Sequence, residues 1–239
     1  MSEKKLFYCD LGFIDYKEAW DIQKLTFQAR LNKEIPDVLY LLEHPNTYTL
    51  GKTADKKNLI GNEDFITSNK INIYNIDRGG DITYHGPGQI VGYPIIDLND
   101  WKKDTHKYLR ALEEIIIKVL NHFNLQGQRN KEYTGVWIEN RKIAAIGIKV
   151  SRWITMHGFA FNINTDLSMF NGIIPCGISE PGKEVTSLKK ELGNEININL
   201  VKELIKKYFI ELFEYNYSAS RKLNEILTPQ LEQNLREDF

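Results

Sequence analysis

The chain has 239 residues, 42% of them hydrophobic and 26% charged, and a formal net charge of -1. That is enough chain for a well-buried core with ordinary globular composition. The even charge balance gives no general pull toward phosphate and argues against nucleic-acid binding, and the apolar runs are too short and interrupted to span a bilayer.

The opening MSEKKLFYCD resembles neither a secretory signal nor a transit peptide, so the expectation is a cytoplasmic protein. The two cysteines, Cys9 and Cys176, are not expected to form a disulfide in a reducing compartment. The five histidines, at 44, 85, 106, 122 and 157, show no HExxH or similar ligand spacing, and no metal is expected.

In chain order, residues 5–12 read as a strand ended by Gly12. From Asp15 to about Lys33 the spacing is helical, with Ala19, Trp20, Ile22, Leu25, Phe27 and Leu31 facing inward. The run VLYLLEH (38–44) is continuously apolar and closed by Pro45, as in a buried strand. INIYNID (71–77) alternates and predicts another strand. GQIVGYPIIDL (88–98) is strand-like, with Pro94 suiting an edge or a bulge. Residues 105–123 predict the clearest helix, with one apolar stripe and Asp104 as N-cap. TGVWIEN and KIAAIGIKV flank Glu139-Asn140-Arg141 and predict a hairpin, and HGFAFNIN (157–164) predicts a further strand. A helix follows at about 199–213, with Leu200, Leu204, Ile205, Tyr208, Phe209 and Phe213 inward. Strands clustered between helices predict an α+β fold with a mostly antiparallel or mixed sheet. The reading is one catalytic domain over 1–215, then a polar tail over 216–239 that could form a loosely packed helix.

Three segments look like a site. RGGDITYHGPGQ (78–89) carries four glycines that neither strand nor helix requires, and glycine lets a ligand approach the main chain. A tight hairpin with a structural arginine is the other reading of that loop. In residues 134–153, Lys142 and Lys149 sit in apolar surroundings; each is either on an exposed sheet face or in a dry pocket where it can exchange protons. In IIPCGISEPG (173–182), Cys176 lies in a turn-rich stretch rather than on an apolar face, so it is either buried and inert or a nucleophile. No GxSxG elbow supports a serine triad.

Taken together, RGGDITYHGPGQ, TGVW with KIAAIGIKV, HGFAFN, and PCGIS with VTSL at 185–188 resemble the octanoyltransferases of lipoate biosynthesis, the lipoyl(octanoyl) transferases. The pieces stand in the family's order over residues 78–188. Phe161 departs from the pattern, standing where many relatives carry a smaller aliphatic residue, which would alter the acyl pocket.

The resemblance implies transfer of an octanoyl group from octanoyl-acyl carrier protein to a lysine of lipoyl domains, those of 2-oxoacid dehydrogenases and of the glycine cleavage H protein. It implies the fold of the catalytic domain of biotin and lipoate protein ligases, a monomer, and no metal, ATP or other cofactor. The family's acyl-thioester cysteine falls on Cys176 and its functional lysine on Lys142; Lys149 matches a position where arginine also occurs. The substrate-lining positions fall on Arg78, Gly79, Gly80, Asp81, Ile82, Thr83, Tyr84 and His85, on Ala145, Ile146 and Gly147, and on Gly158, Phe159 and Ala160. A thiol with a pKa near ~8.5 needs a base or a nearby cation to act at neutral pH, and a desolvated lysine can be that base. His85 and His157 are further candidates. The competing readings are an ATP-dependent lipoate or biotin ligase, an amidotransferase between protein lysines, and a non-catalytic module that binds acyl carrier or lipoyl domains.

Overall fold

A computed structural model of the chain describes residues 4–175 and 182–227. The elements are β1 (Lys5–Phe13), α1 (Tyr16–Leu31), β2 (Asp37–Glu43), β3 (Thr47–Leu50), α2 (Glu63–Ser68), β4 (Asn72–Asn75), β5 (Ile82–His85), β6 (Gln89–Ile95), α3 (Thr105–His122), β7 (Gln128–Arg129), β8 (Val136–Ile138), β9 (Arg141–Ser151), β10 (Ile154–Asn162), β11 (Glu184–Val185), α4 (Leu188–Leu192), α5 (Ile198–Leu212), β12 (Tyr217–Ser220) and α6 (Leu223–Ile226).

Nine strands form one mixed sheet in the order β12-β1-β2-β6-β10-β9-β8-β7, with β11 beside β9. Helix α1 packs on one face, where Ala19, Ile22 and Leu25 meet Tyr40, Val91 and Ala160. Helices α3 and α5 cover the other, burying Leu112, Ile116, Ile205 and Phe209 against Ile90, Ile143 and Phe159. A second sheet, β4-β3-β5, has its own small core of Tyr48, Ile82, Tyr84 and Phe170. The α+β architecture is the expected one.

Local signals explain most boundaries. Asp104 caps α3 by accepting from the N–H groups of His106 and Lys107, both at 3.0 Å, which removes two of the donors a helix start leaves unpaired. In α1, Trp20, Phe27 and Leu31 are only half-buried, and Gln23 and Thr26 join Ala19 and Ile22 inside. Leu200 was expected inside α5; it is 43% exposed and its neighbour Val201 is buried instead. The helix begins at Ile198, which sets the phase of its inner stripe. The alternating run at 71–77 yields β4, an exposed edge strand of the small sheet. Residues 217–220, expected to open the tail, form β12 and pair in parallel with β1. Residues 228–239 lie outside the described part.

Pro94 does not mark an edge. Strand β6 is interior, paired with β2 through Leu39↔Pro94 and with β10 as far as Phe159↔Gly92. The Pro94 carbonyl faces β10, where it accepts from the Thr155 hydroxyl at 2.7 Å. Proline has no N–H to give the ladder on that side, and continuing the register would bring His157 opposite it. There β10 departs from strand geometry: His157 has φ +57° and turns its N–H to Gln23 Oε1 of α1, at 2.8 Å. The irregularity Pro94 announces is thus carried by its neighbour.

Candidate active site

A cavity of about 410 Å³ lies between the glycine-rich loop and strands β9 and β10. Ala145 pairs with Ala160 and Gly147 with Gly158. Directly paired residues share a face, so these four small residues form one floor. Gly147 is needed there: a Cβ would sit 2.9 Å from both Arg78 Cδ and the Gly79 carbonyl. The opposite wall comes from Arg78, Gly79, Gly80, Asp81, Thr83 and His85, and Ile146 and Phe159 complete the lining among the expected positions. Ile82 and Tyr84 do not line it. They alternate with Thr83 and His85 on β5 and point into the small core, where Tyr84 meets Phe170 at 5.2 Å and its hydroxyl donates to Asn46 Oδ1. Phe161 likewise leaves the acyl side alone: it is fully buried among the α3 and α5 residues.

Lys142 is 5% exposed and lines this cavity. A bulge puts it there. Val136 pairs with Ala144 but Trp137 pairs with Lys142, so Ile143 is an extra residue on β9. In an unbroken strand, residues 142 and 145 would point to opposite faces; one inserted residue brings them to the same side. Trp137 packs its ring 5.6 Å from the Lys142 ammonium. Gly135, with φ +133°, passes so close that a Cβ would meet Lys142 Cε at 2.8 Å. Its N–H donates to the buried Glu113 carboxylate, which fixes the 132–135 segment beside the lysine.

Cys176 and residues 177–181, and with them the expected approach of Cys176 to Lys142, lie outside the described part. The residues on either side do converge on Lys142. Pro175 and Val185 line a second, adjoining cavity of about 570 Å³ together with Lys142, Lys183 and Phe170. Val185 also pairs with Lys142. The other cysteine, Cys9, is buried in β1, and burial pushes its thiol up to about 11; it is a core residue.

A chain of buried hydrogen bonds ties the motif segments together. Arg78 donates to Thr49 Oγ1 at 3.0 Å, and Thr49 Oγ1 lies 3.4 Å from His85 Nε2. His85 Nδ1 donates to Gln89 Oε1 at 2.9 Å. Gln89 donates to Asn162 Oδ1, and Asn162 to the Thr186 carbonyl, both at 2.9 Å. The Thr186 N–H closes the path on the Lys142 carbonyl, at 2.9 Å. Satisfied networks of this kind fix a unique arrangement in a low-dielectric interior.

The end remote from Lys142 is built of four rings, of which sequence reasoning had singled out His85 and His157 but not Tyr16 or Tyr93. Tyr16, Tyr93 and His157 join His85 in the lining. Tyr16 stacks on His85 at 5.8 Å, and His44 hands its Nε2 to the Tyr93 hydroxyl at 2.8 Å. Burial pushes His44 down to about 4, His85 well below its ordinary value, and His157 downward against the opposing pull of Asp77. These rings are therefore neutral near pH 7. Asp77 is held well below the usual carboxylate range, first by its hydrogen bond to His157 Nε2 (2.8 Å) and then by Lys149. Of the four, only His85 and His157 stand in motif segments; Tyr16 and Tyr93 carried no local signal.

The catalytic-domain model of lipoyl protein ligases A and B matches residues 15–210. The chain belongs to this family. An octanoyltransferase of Christiangramia forsetii is 50% identical over 222 residues, covering 86% of this chain and 94% of its own. One from Rubrobacter xylanophilus is 51% identical over 203 residues, covering 84% and 90%. Among solved structures, the bi-partite lipoate protein ligase of Thermoplasma acidophilum, analysed with its E2 lipoyl domain, superposes with a TM-score of 0.72 at 15% identity, covering 99% of this chain and 92% of its own. The biotin protein ligase of Aquifex aeolicus gives 0.50 at 11% identity, covering 89% and 70%. At those identities the lipoyl-ligase likeness speaks for the fold. Among the described residues, no helix is long and apolar enough to cross a membrane, and no group of three or more His, Cys, Asp or Glu is placed to hold a metal.

Proposed function

We propose that the chain is an octanoyltransferase that takes its acyl group from octanoyl-acyl carrier protein and delivers it to a lysine of lipoyl domains. The acyl group is carried between them as a thioester on Cys176, with Lys142 moving the protons. The observation that carries this reading is the convergence on Lys142: Pro175, to which Cys176 is bonded, and Val185, just beyond the same segment, line one cavity with it. Half-identity to octanoyltransferases over most of the chain supports the substrate class.

In the first half-reaction Lys142 accepts the Cys176 proton. The thiolate attacks the thioester carbonyl, and the phosphopantetheine thiolate leaves with the proton from the Lys142 ammonium. In the second, the lipoyl-domain amine attacks the Cys176 thioester. Cys176 departs as thiolate, Lys142 takes the proton shed by the nitrogen, and that proton returns to the sulfur. Each bond broken is a thioester and each proton makes a closed circuit, so the chemistry asks for no metal or nucleotide. The floor of Ala145, Gly147, Gly158 and Ala160 gives an apolar chain a place to lie, worth about 0.8 kcal/mol per buried CH₂.

The test is intact-mass spectrometry after mixing with octanoyl-acyl carrier protein and no ATP. An adduct of one octanoyl group that then moves to a lipoyl domain supports the reading. Pyrophosphate release from ATP and free octanoate, with no adduct from the carrier, would favour the ligase chemistry instead.

A further inference from the structure

The floor of the cavity explains why an acyl chain can enter, but not where it must stop. On β9, Lys142 and Ile148, the partner of His157, are six residues apart; the bulge at Ile143 takes up one of these steps, leaving roughly 17 Å at ~3.3 Å per residue. The cavity therefore has a reacting end at Lys142 and a remote end at His157.

His157 is an unusual stopper. It is 2% exposed, it stands at φ +57° in a strand, and it is clamped from three sides. Asp77 holds its Nε2 and is itself paired with Lys149. Gln23 holds its backbone N–H. Tyr93 meets its ring edge-on, with centroids 6.4 Å apart. A left-handed backbone costs a non-glycine residue about 1–2 kcal/mol, and the missing N–H of Pro94 opposite is what diverts the strand here. Straight strand geometry would have kept the ring out of this position. Behind it lies helix α1, with the Trp20 ring centroid 6.4 Å from the imidazole and Ala19 and Ile22 in the same layer. Removing the imidazole would deepen the cavity toward that layer and toward the Asp77–Lys149 pair, whose side chains are 34% and 31% exposed.

We propose that His157 is a specificity-determining residue: its ring, driven into the cavity by the break in β10 opposite Pro94 and locked by Asp77 and Lys149, is the end stop that sets the length of acyl chain the protein accepts. This rests on the acyl-transfer reading above. A neutral imidazole suits the task, since the end of an alkyl chain would be costly to press against a charge. Its Nδ1 has no hydrogen-bond partner among the described residues, so a role as a base is the competing account.

The experiment compares kcat/KM for acyl carrier protein loaded with C6, C8, C10, C12 and C14 chains, in the wild type, His157→Gly and His157→Asn. Glycine removes the ring and also relieves the left-handed strain, so the variant has no backbone reason to misfold. Asparagine tolerates the same φ and fills part of the space. The end-stop account expects the C12-to-C8 ratio to rise at least tenfold in His157→Gly, at up to about fourfold per newly buried CH₂, and by less in His157→Asn. A folded His157→Gly with the wild-type ratio overturns it. So does an equal loss at every chain length with a shifted pH profile, which is the signature of a base. A wild type that moves no octanoyl group at all would instead overturn the acyl-transfer reading itself.

Discussion

The two ends of the cavity are built by different kinds of structure. At the Lys142 end, residues 132–134, Pro175 and Lys183 from connecting segments meet Val185 of the two-residue strand β11. At the His157 end, the walls are α1 and the interior strands β6 and β10, with β5 of the small sheet, closed by rings and hydrogen bonds. The contrast follows from what each end has to do. Two macromolecules must reach the reacting end in turn, which suits loops on a rigid frame. A length gauge works only if it does not yield, which suits packed strands.

Substitutions at the two ends should therefore fail differently. Lys142→Arg keeps the charge and cannot release a proton at working pH. Turnover should drop on the order of 10²–10⁴ for every chain length, with the melting temperature nearly unchanged. Near wild-type transfer would leave Cys176 with another base. Between the ends, Gly147→Val places a side chain where a Cβ already meets Arg78 Cδ and the Gly79 carbonyl at 2.9 Å. Octanoyl transfer should fall at least tenfold, and acetyl transfer by less; equal losses would mean the floor does not hold the chain.

Acid should reach the remote end first. His44, held down at about 4, together with His85 and His157, is kept neutral in the fold, whereas unfolded histidine titrates near ~6.5. The unfolded state then binds more protons below that pH, so stability is flat above about pH 7 and declines as pH falls from ~6.5 toward 4. The depressed Asp77 adds little above about pH 5, where it is ionised in both states, and steepens the loss below that as the unfolded carboxyl takes up protons. Melting temperature should be several degrees lower at pH 5 than at pH 7.5; a rise on acidification would contradict the burial of these rings. The mildest effect on activity should come from Phe161→Leu, in the core behind the floor. It should cost about 1–2 kcal/mol of stability and leave the chain-length profile as it was, since Phe161 faces α3 and α5.

How far the sequence was legible depends on the range of the signal. The caps, the apolar stripe of α3 and the buried run of β2 are local, and they predicted elements within a residue or two. The glycine-rich loop was readable because close approach needs glycine, and the TGVW–KIAAIGIK hairpin because two apolar runs flank the polar Glu139-Asn140-Arg141. The remote end was not, because Tyr16 and Tyr93 are ordinary inward positions of a helix and a strand until sheet pairing brings them together. Pro94 announced an irregularity, but only the register of β6 against β10 shows that His157 carries it. Leu200 was misplaced because the phase of a short amphipathic helix depends on where it starts.

The central claim is that the acyl group rests on Cys176 within reach of Lys142. Its most direct test is intact-mass and peptide mapping of the wild type, Cys176→Ser and Cys9→Ser after a brief exposure to octanoyl-acyl carrier protein. The account predicts one octanoyl group on the Cys176 peptide, removed by hydroxylamine or by a lipoyl domain, present in Cys9→Ser and nearly absent in Cys176→Ser. Full acyl transfer by Cys176→Ser, or an adduct on any other residue that turns over at the wild-type rate, would contradict it.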